Sequence, residues 1–293
     1  MASFLNVLMA GVFQAAVLFL VAAGLQLIFG VQRIFNLACG AIYALGAYTG
    51  ITVTSWALAQ GLPVYLFPAI LILTGVVTGL VGIPMERLVR TIYRRPESFQ
   101  LLLTFALMLI IQDVLRYFWG ADPQQLDNIS MVFGTFSLLG ADMPAYNAMV
   151  IVAAGVMAIG LAYLLGYTAT GKILRATAES WEISAAMGVN VTRVYVLVFM
   201  LGTMLSTIGG ALVIPTSAAS LEMGVALVVE AFAVVVIGGL GSMKGAVVGA
   251  LIVGLVRAAA LVFYPETEIL AIYVIVLGVL IWRPSGLYGR VAA

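Results

Sequence analysis

Residues 7–30 read VLMAGVFQAAVLFLVAAGLQLIFG, an unbroken run without Asp, Glu, Lys or Arg. A helix rising about 1.5 Å per residue needs about 20 mainly apolar residues to cross the hydrocarbon core of a bilayer. Residues 7–30 therefore predict a membrane span. Further apolar stretches follow at 36–59, 63–83, 99–119, 145–167, 194–215, 225–240, 246–263 and 268–282. The expected fold is an all-α, polytopic transmembrane helix bundle of about eight to ten spans, nine on this count, forming a single domain over 1–293. The stretches at 225–240 and 268–282 are short for a crossing. The first span is read as retained, because Met1–Asn6 carries no Lys or Arg and the apolar run exceeds the roughly 7–15 residues of a signal-peptide core.

Composition agrees. Of the 293 residues, 64% are hydrophobic and 9% are charged, against roughly 25% charged in soluble domains. Mean hydropathy is +1.18. Thirteen Lys and Arg against twelve Asp and Glu leave a net charge of +1, so no basic face for nucleic acid is implied. Histidine is absent and Cys39 stands alone, which removes the commonest general base and metal ligand and any internal disulfide.

The charges sort by loop. Arg87, Arg90, Arg94 and Arg95 fall between Glu86 and Glu97, Lys172, Arg175 and Arg193 fall in 172–193, and Arg283 and Arg290 fall in the tail. Asp122, Asp127, Asp142, Glu222, Glu266 and Glu268 lie in 120–144, 217–224 and 264–268, which contain no Lys or Arg. Positive-inside bias makes the first set cytoplasmic. Nine crossings then put the N-terminus outside and the C-terminus inside. Polar Arg33, Asn36 and Gly40 interrupt apolar sequence, either as a tight cytoplasmic turn or as a helix broken within the membrane; the second alternative moves the N-terminus to the other face.

Gly46 and Gly50, Gly75 and Gly79, and Gly245 and Gly249 stand four apart and predict close helix contacts. Arg33, Asp113, Arg116, Glu230, Lys244 and Arg257 fall within or beside spans, at an insertion cost of about 2.5–3.5 kcal/mol each at a helix centre. Asp113 and Arg116 share a helix face and are expected to pair. The turn Gly238-Gly239-Leu240-Gly241-Ser242-Met243 makes a hairpin in which Glu230 and Arg257 both lie about 20 Å from the turn, at the right depth for an interhelical ion pair.

Gly166 to Lys172 has the glycine and lysine spacing of a phosphate loop, but Ile173 occupies the position of the magnesium-binding hydroxyl, and an apolar span precedes it. There is no metal cluster, nucleophile with a base, or carboxylate pair within a span. The chain is expected to be no enzyme, to bind no cofactor or metal, and to transport. The cytoplasmic segment 172–193, KILRATAESWEISAAMGVNVTR, predicts an amphipathic helix from Lys172 to Met187, ended by Gly188. Ile173, Ala176, Ser180 or Ile183, and Met187 fall on one side, and Arg175, Glu179 and Glu182 on the other. The two glutamates argue against an anionic lipid surface and for a protein partner.

RATAESWEISAAMGVNVTRV, FAVVVIGGLGSMKGAVVGALIVGL and the terminal WRPSGLYGR resemble segments of the branched-chain amino acid ABC transporter permeases of the LivH/LivM type. GLQLIFGVQRIFNLACGAIYALGAY resembles that family's first conserved block, and MERLVRTIYRRP its first basic loop. The resemblance runs in order from Gly24 to Arg290 and is closer to the LivH half. It implies a pore-forming permease in the bacterial cytoplasmic (inner) membrane, paired with a second related permease. Two cytoplasmic ATPase subunits holding ATP and Mg would drive it, and a periplasmic or extracellular substrate-binding protein would deliver the solute. The 172–193 helix becomes a coupling helix, with Arg175, Glu179, Glu182 and Gly188 as contacts to an ATPase. Ile183-Ser184 replaces the family's Ala-Ala, and Cys39 replaces its His in an Asn-x-Ala-His-Gly string. Asn36, Cys39, Gly40, Gly238, Gly239 and Gly241 are the candidates for the translocation path or gate.

Branched-chain or other hydrophobic amino acids fit this reading, as do urea, short amides and small aromatic acids. The competing reading is a stand-alone secondary transporter or channel, which needs buried titratable groups for ion coupling. Glu230 alone qualifies as a proton carrier, and the amphipathic cytoplasmic loop then goes unexplained. A membrane enzyme lacks its catalytic groups.

Overall fold

The computed structural model describes residues 2–93, 95–126, 133–138 and 141–289. Arg94, Asp127 and Arg290, used above for sidedness, lie outside the described residues. Helix α1 spans Ala2–Gln32, α2 Cys39–Ala59, α3 Phe67–Gly79, α4 Gly82–Val89, α5 Glu97–Trp119 and α6 Ala145–Tyr167. Then come α7 (Ala169–Glu179), α8 (Trp181–Ala186), α9 (Val191–Val213), α10 (Met223–Gly238), α11 (Met243–Phe263) and α12 (Glu268–Trp282). Helices α3 and α4 with the turn at Arg90–Ile92 make one long, nearly continuous helical run. The fold is a transmembrane helix bundle; an antiparallel pair, β1 (Thr135–Leu138) and β2 (Ala141–Pro144), adds a short hairpin before α6 with Thr135 opposite Pro144.

Six helical segments among the described residues are long and apolar enough to cross a membrane: Leu5–Gln32, Val64–Ile92, Glu97–Trp119, Ala145–Tyr167, Val191–Val213 and Met243–Phe263. Met223–Gly238 and Leu270–Trp282 are shorter apolar helices. Helix α2 is less hydropathic because Gly, Tyr and Thr fill it, and it lies in the centre, with Tyr43, Tyr48, Ile51 and Thr54 buried. Helices α1, α2 and α9 form the interior; α5, α6 and α12 show apolar outer faces such as Val152, Val156 and Ile159. This is the distribution expected where lipid solvates the outside as well as a core does the inside.

Lipid supplies no hydrophobic drive between helices, so contact depends on close backbone approach. Helix α9 packs on α1, α2, α3 and α4, and glycine makes each approach possible. A Cβ added at Gly24 of α1 would lie 2.4 Å from the Gly202 carbonyl oxygen, and one at Gly46 of α2 would lie 2.2 Å from that of Thr207. Gly75 and Gly79 of α3 face Ile208 and Met204. There Thr207 Oγ1 donates to the Gly75 carbonyl at 2.6 Å and Thr203 Oγ1 to that of Gly79 at 2.7 Å. Gly245 and Gly249 of α11 abut Gly238 and Val234 of α10.

These contacts fix the ends of the bundle. Helix α1 is antiparallel to α9 and α11: Gly11 meets Leu255, Gly30 meets Gly241, and Gln32 Nε2 donates to the Tyr195 carbonyl at 2.8 Å. The end of α1, the start of α9, the α10–α11 turn and residues 90–93 therefore share one end of the bundle. Arg33 and Lys244, grouped above with the membrane charges, are exposed at this basic end. Their side chains need no partner because they sit where helices stop. The opposite end carries Asp122, Glu222 and Glu266, with the 120s loop bridged to the 219 loop through Gln124 and Ala219. The first residues of α1 lie toward the acidic end, and α12 finishes at the basic end.

Inserting a methyl group into such a backbone contact costs about 1–3 kcal/mol. Gly46→Ala should lower the thermal midpoint of the purified protein in detergent by several degrees, whereas Gly155→Ala, which meets nothing within 4 Å, should not. Equal midpoints for the two variants would refute the backbone-contact account.

Candidate functional site

Helix α1 stops at Gln32, and Arg33 takes a left-handed backbone with φ +55°. Residues 34–38 are non-helical, and α2 then starts inside the bundle. Gly40 packs on Gly224, fourteen residues and so about 21 Å along α10 from Gly238 at the basic end. The interruption is thus a re-entrant segment: the chain reaches the basic end, turns at Arg33, and returns without helical structure before α2 begins. The N-terminal end of α1 does not change face. Thr104 of α5 donates to the Phe35 carbonyl at 3.1 Å, and the Phe35 ring lies between Phe29 and Phe232 with centroids 4.6 and 5.9 Å away.

Asn36 is 1% exposed. Its Oδ1 accepts the Ala38 N–H at 3.1 Å, and its Nδ2 has no partner. Tyr48 Oη and Thr54 Oγ1, further along α2, are also buried without partners. Most native buried polar groups are satisfied, so such exceptions mark places where something else is expected to bind or move. Cys39 and Gly40 are buried beside Asn36.

Gly238, Gly239 and Gly241 lie at the basic end, away from Asn36. Gly239 and Gly241 have φ of +96° and +79°. Gln26 clamps their turn: its Nε2 donates to the Gly239 carbonyl at 2.9 Å, and its Oε1 accepts the Gly241 N–H at 2.5 Å. The tail holds the other side, with Leu287 N–H on the Ile237 carbonyl and Tyr288 N–H on that of Gly238. This turn is a pinned junction. Gln26, a polar residue in the middle of the first apolar run, was the available signal.

Arg257 Nη1 donates to Glu230 Oε2 at 2.6 Å, joining α11 to α10. Its Nε also pairs with Glu268, the first residue of α12. Glu268 was counted above only as an outer-loop acid; it lies across the Pro265–Thr267 turn, which folds α12 back onto α11. The three charges tie three helices together. Among the described residues no ion pair joins Asp113 to Arg116, contrary to the expectation from their spacing; both are exposed on α5, and an exposed pair gains too little to hold two long side chains in one geometry.

At the basic end the expected single helix over 172–187 is two helices, α7 and α8. Ser180 is extended, with φ −153°, and its side chain accepts the Ile183 N–H at 3.3 Å, so it caps a new helix instead of continuing the old one. Thr168 starts α7 in the same way, accepting from Gly171 at 3.0 Å. Gly188, with φ +85°, ends α8. The buried face is Gly171, Leu174, Thr177 and Ser184, and not the one expected. Ile183 and Met187 are 67% and 80% exposed, and Trp181 stands out beside them. Arg175 donates to the Gly166 carbonyl at 3.2 Å, and Glu179 and Glu182 are exposed.

Sequence reasoning placed Glu86 in a cytoplasmic loop, yet it is wholly buried. Arg90 Nε donates to its Oε1 at 3.0 Å, Arg90 Nη2 pairs with its Oε2, and the Tyr93 hydroxyl donates to Oε1 at 2.9 Å. Burial pushes the Tyr93 hydroxyl up from its ordinary range, which keeps it a donor. The Glu86–Arg90 spacing of four on a helix was the readable signal. Among the described residues no three His, Cys, Asp or Glu side chains are grouped to hold a metal ion.

The chain is similar over 280 residues to the high-affinity branched-chain amino acid transport system permease protein BraD of Pseudomonas aeruginosa, at 24% identity, covering 92% of this chain and 91% of that one. It is similar to the corresponding LivH protein of Salmonella typhimurium at 23% identity over 98% and 96% of the two chains. Its fold resembles that of PsaBC from Streptococcus pneumoniae, solved in complex with Fab, with a TM-score of 0.52, 14% identity and 98% coverage of both chains. The family model described as branched-chain amino acid transport system / permease component matches residues 7–282, and the chain belongs to that family.

Proposed function

We propose that this permease subunit forms, with a second related permease, the path of an ATP-driven importer for branched-chain or other hydrophobic amino acids. A soluble binding protein delivers the cargo at the acidic end. Two ATPases dock at the basic, cytoplasmic end, where the chain also finishes. The observation that carries this reading is the coupling segment: Trp181, Ile183 and Met187 present exposed apolar surface, flanked by Glu179 and Glu182, at the end of the bundle where the basic residues gather. Exposed apolar groups rimmed by charge at a water-facing end suit a protein partner.

Docking at α7 and α8 gives an ATPase a lever on the ends of α6 and α9, between which those helices lie in the chain. Motion of α9 is passed to α1, α2 and α3 through their glycine contacts, and the re-entrant segment is the element that can rearrange. It is not helical, so no ladder of hydrogen bonds resists its movement. Its Asn36 amide is positioned to serve cargo or a second conformation.

Ile183→Asp with Met187→Asp should abolish co-purification of the ATPase while leaving the permease in the membrane at normal abundance; retained ATPase would count against this docking face, and ATP-independent uptake would favour a stand-alone transporter. Glu182→Arg should leave ATP hydrolysis running while uptake of radiolabelled leucine into proteoliposomes falls. For Asn36→Leu, the lost bond to Ala38 costs about 1 kcal/mol, and relief of the orphan Nδ2 returns about 1–3 kcal/mol. Thermal stability should therefore hold or rise while uptake falls by at least about tenfold, or about 1.4 kcal/mol; unimpaired uptake would make Asn36 a packing residue only.

A further inference from the structure

A cleft of about 710 Å³ opens at the basic end between the coupling segment and the helix core. Its walls come from the end of α1, residues 90–93, the α7–α8 junction and the start of α9. Its size falls within the roughly 300–1,000 Å³ of small-molecule sites. Both signs of charge line it, with Arg33 and Arg90 on the core side and Glu179 and Glu182 on the coupling side. The Arg33 and Glu182 side chains form no ion pair or hydrogen bond among the described residues. Arg90 is held by buried Glu86 through Nε and Nη2, which leaves Nη1 as a fixed donor on a side chain still 35% exposed.

Gln32 adds an observation that points directly to a ligand. Its amide nitrogen is committed to the Tyr195 carbonyl, and its Oε1 is buried without a partner. A buried acceptor of this kind calls for an N–H donor. The edge-to-face pair of Tyr93 and Tyr195, at 5.3 Å, and the Trp181 ring supply apolar wall.

We infer that this cleft binds a free zwitterionic α-amino acid from the cytoplasm, its carboxylate at Arg33 and Arg90 Nη1, its ammonium at Gln32 Oε1 and Glu182. The near balance of charge in the lining disfavours an anionic headgroup or a nucleotide. Because one wall is the coupling segment and the other is the helix core, a bound amino acid ties the two together and resists the movement that coupling requires. The importer is thus slowed by its own delivered product. This inference rests on the reading of the chain as an amino acid importer with its basic end in the cytoplasm.

Proteoliposomes carrying the assembled transporter, with binding protein outside and ATP inside, test it through the initial uptake of radiolabelled L-leucine. Preloading the lumen with unlabelled L-leucine should lower the initial rate by about tenfold, whereas leucinamide, which lacks the carboxylate, and 4-methylpentanoate, which lacks the amine, should not. The ratio of preloaded to empty rates should return toward one in Arg33→Asn, chosen because Asn tolerates the left-handed backbone, and independently in Gln32→Leu. No effect of lumenal leucine, equal effects of all three solutes, or unchanged ratios in both variants would overturn the inference. Equilibrium binding of radiolabelled L-leucine to the assembled transporter without its binding protein reads the cleft separately. Absent binding overturns the inference whatever the uptake, as does binding to the isolated permease that disappears when the ATPases are present. Absent uptake with intact binding overturns the substrate reading alone.

Discussion

The bundle depends on how closely the backbone of α9 can approach its neighbours. Water outside a soluble domain drives apolar faces together, but lipid tails solvate Leu and Val as well as another helix does, so dispersion and hydrogen bonds at short range must hold the interior. Glycines on α1, α2 and α3, with Gly202, Gly209 and Gly210 on α9 itself, bring carbonyls and Cα atoms into contact. At that distance Thr203 and Thr207 can spend their hydroxyls on a neighbouring helix's carbonyls. The same contacts make α9 the element that joins the basic end to α1, α2 and α3 across the interior.

The periodic features of the chain were readable in advance. Apolar length located the spans, and charge sign separated the two ends, since insertion cost and loop bias are properties of single residues and their neighbours. The glycine pairs at four-residue spacing announced close contacts, and hairpin arithmetic brought Glu230 to the depth of Arg257. The features that escaped depend on chain reversal. Nothing local states that Ser180 would cap a second helix instead of continuing the first, or that Glu268 would fold back under Arg257. Glu86 reads as one more loop charge until its burial is seen. Asp113 and Arg116 show the converse: correct spacing does not make a pair when each side chain is solvated where it stands.

Arg33 to Ala38 is the segment where local and global preferences disagree. A continuous helix would satisfy its backbone, and apolar side chains would satisfy its surroundings, yet the chain carries Asn36 with an unpartnered amide next to the packed ring of Phe35. Such conflicts are retained at places that work. Broken helices near the membrane interior serve transporters because they release backbone groups without exposing them to lipid. Here Phe35 is held by Thr104 of α5 and packs on Phe232 of α10, and Asn36 is buried next to it, while Arg33 opens to the basic end.

The clamp on the Gly238–Gly241 turn bears on how the molecule is made. Gln26 belongs to α1, and Leu287 and Tyr288 follow α12; residues from both ends of the bundle's chain order hold the same turn. Helices inserted one after another cannot complete this junction as they emerge. Helix α1, whose main partners are α9 and α11, must stand in the bilayer without them until those later helices insert, and the basic end closes only when the residues after α12 reach the turn. A ribosome stalled before residue 285 would leave a set of inserted helices with that seam still open.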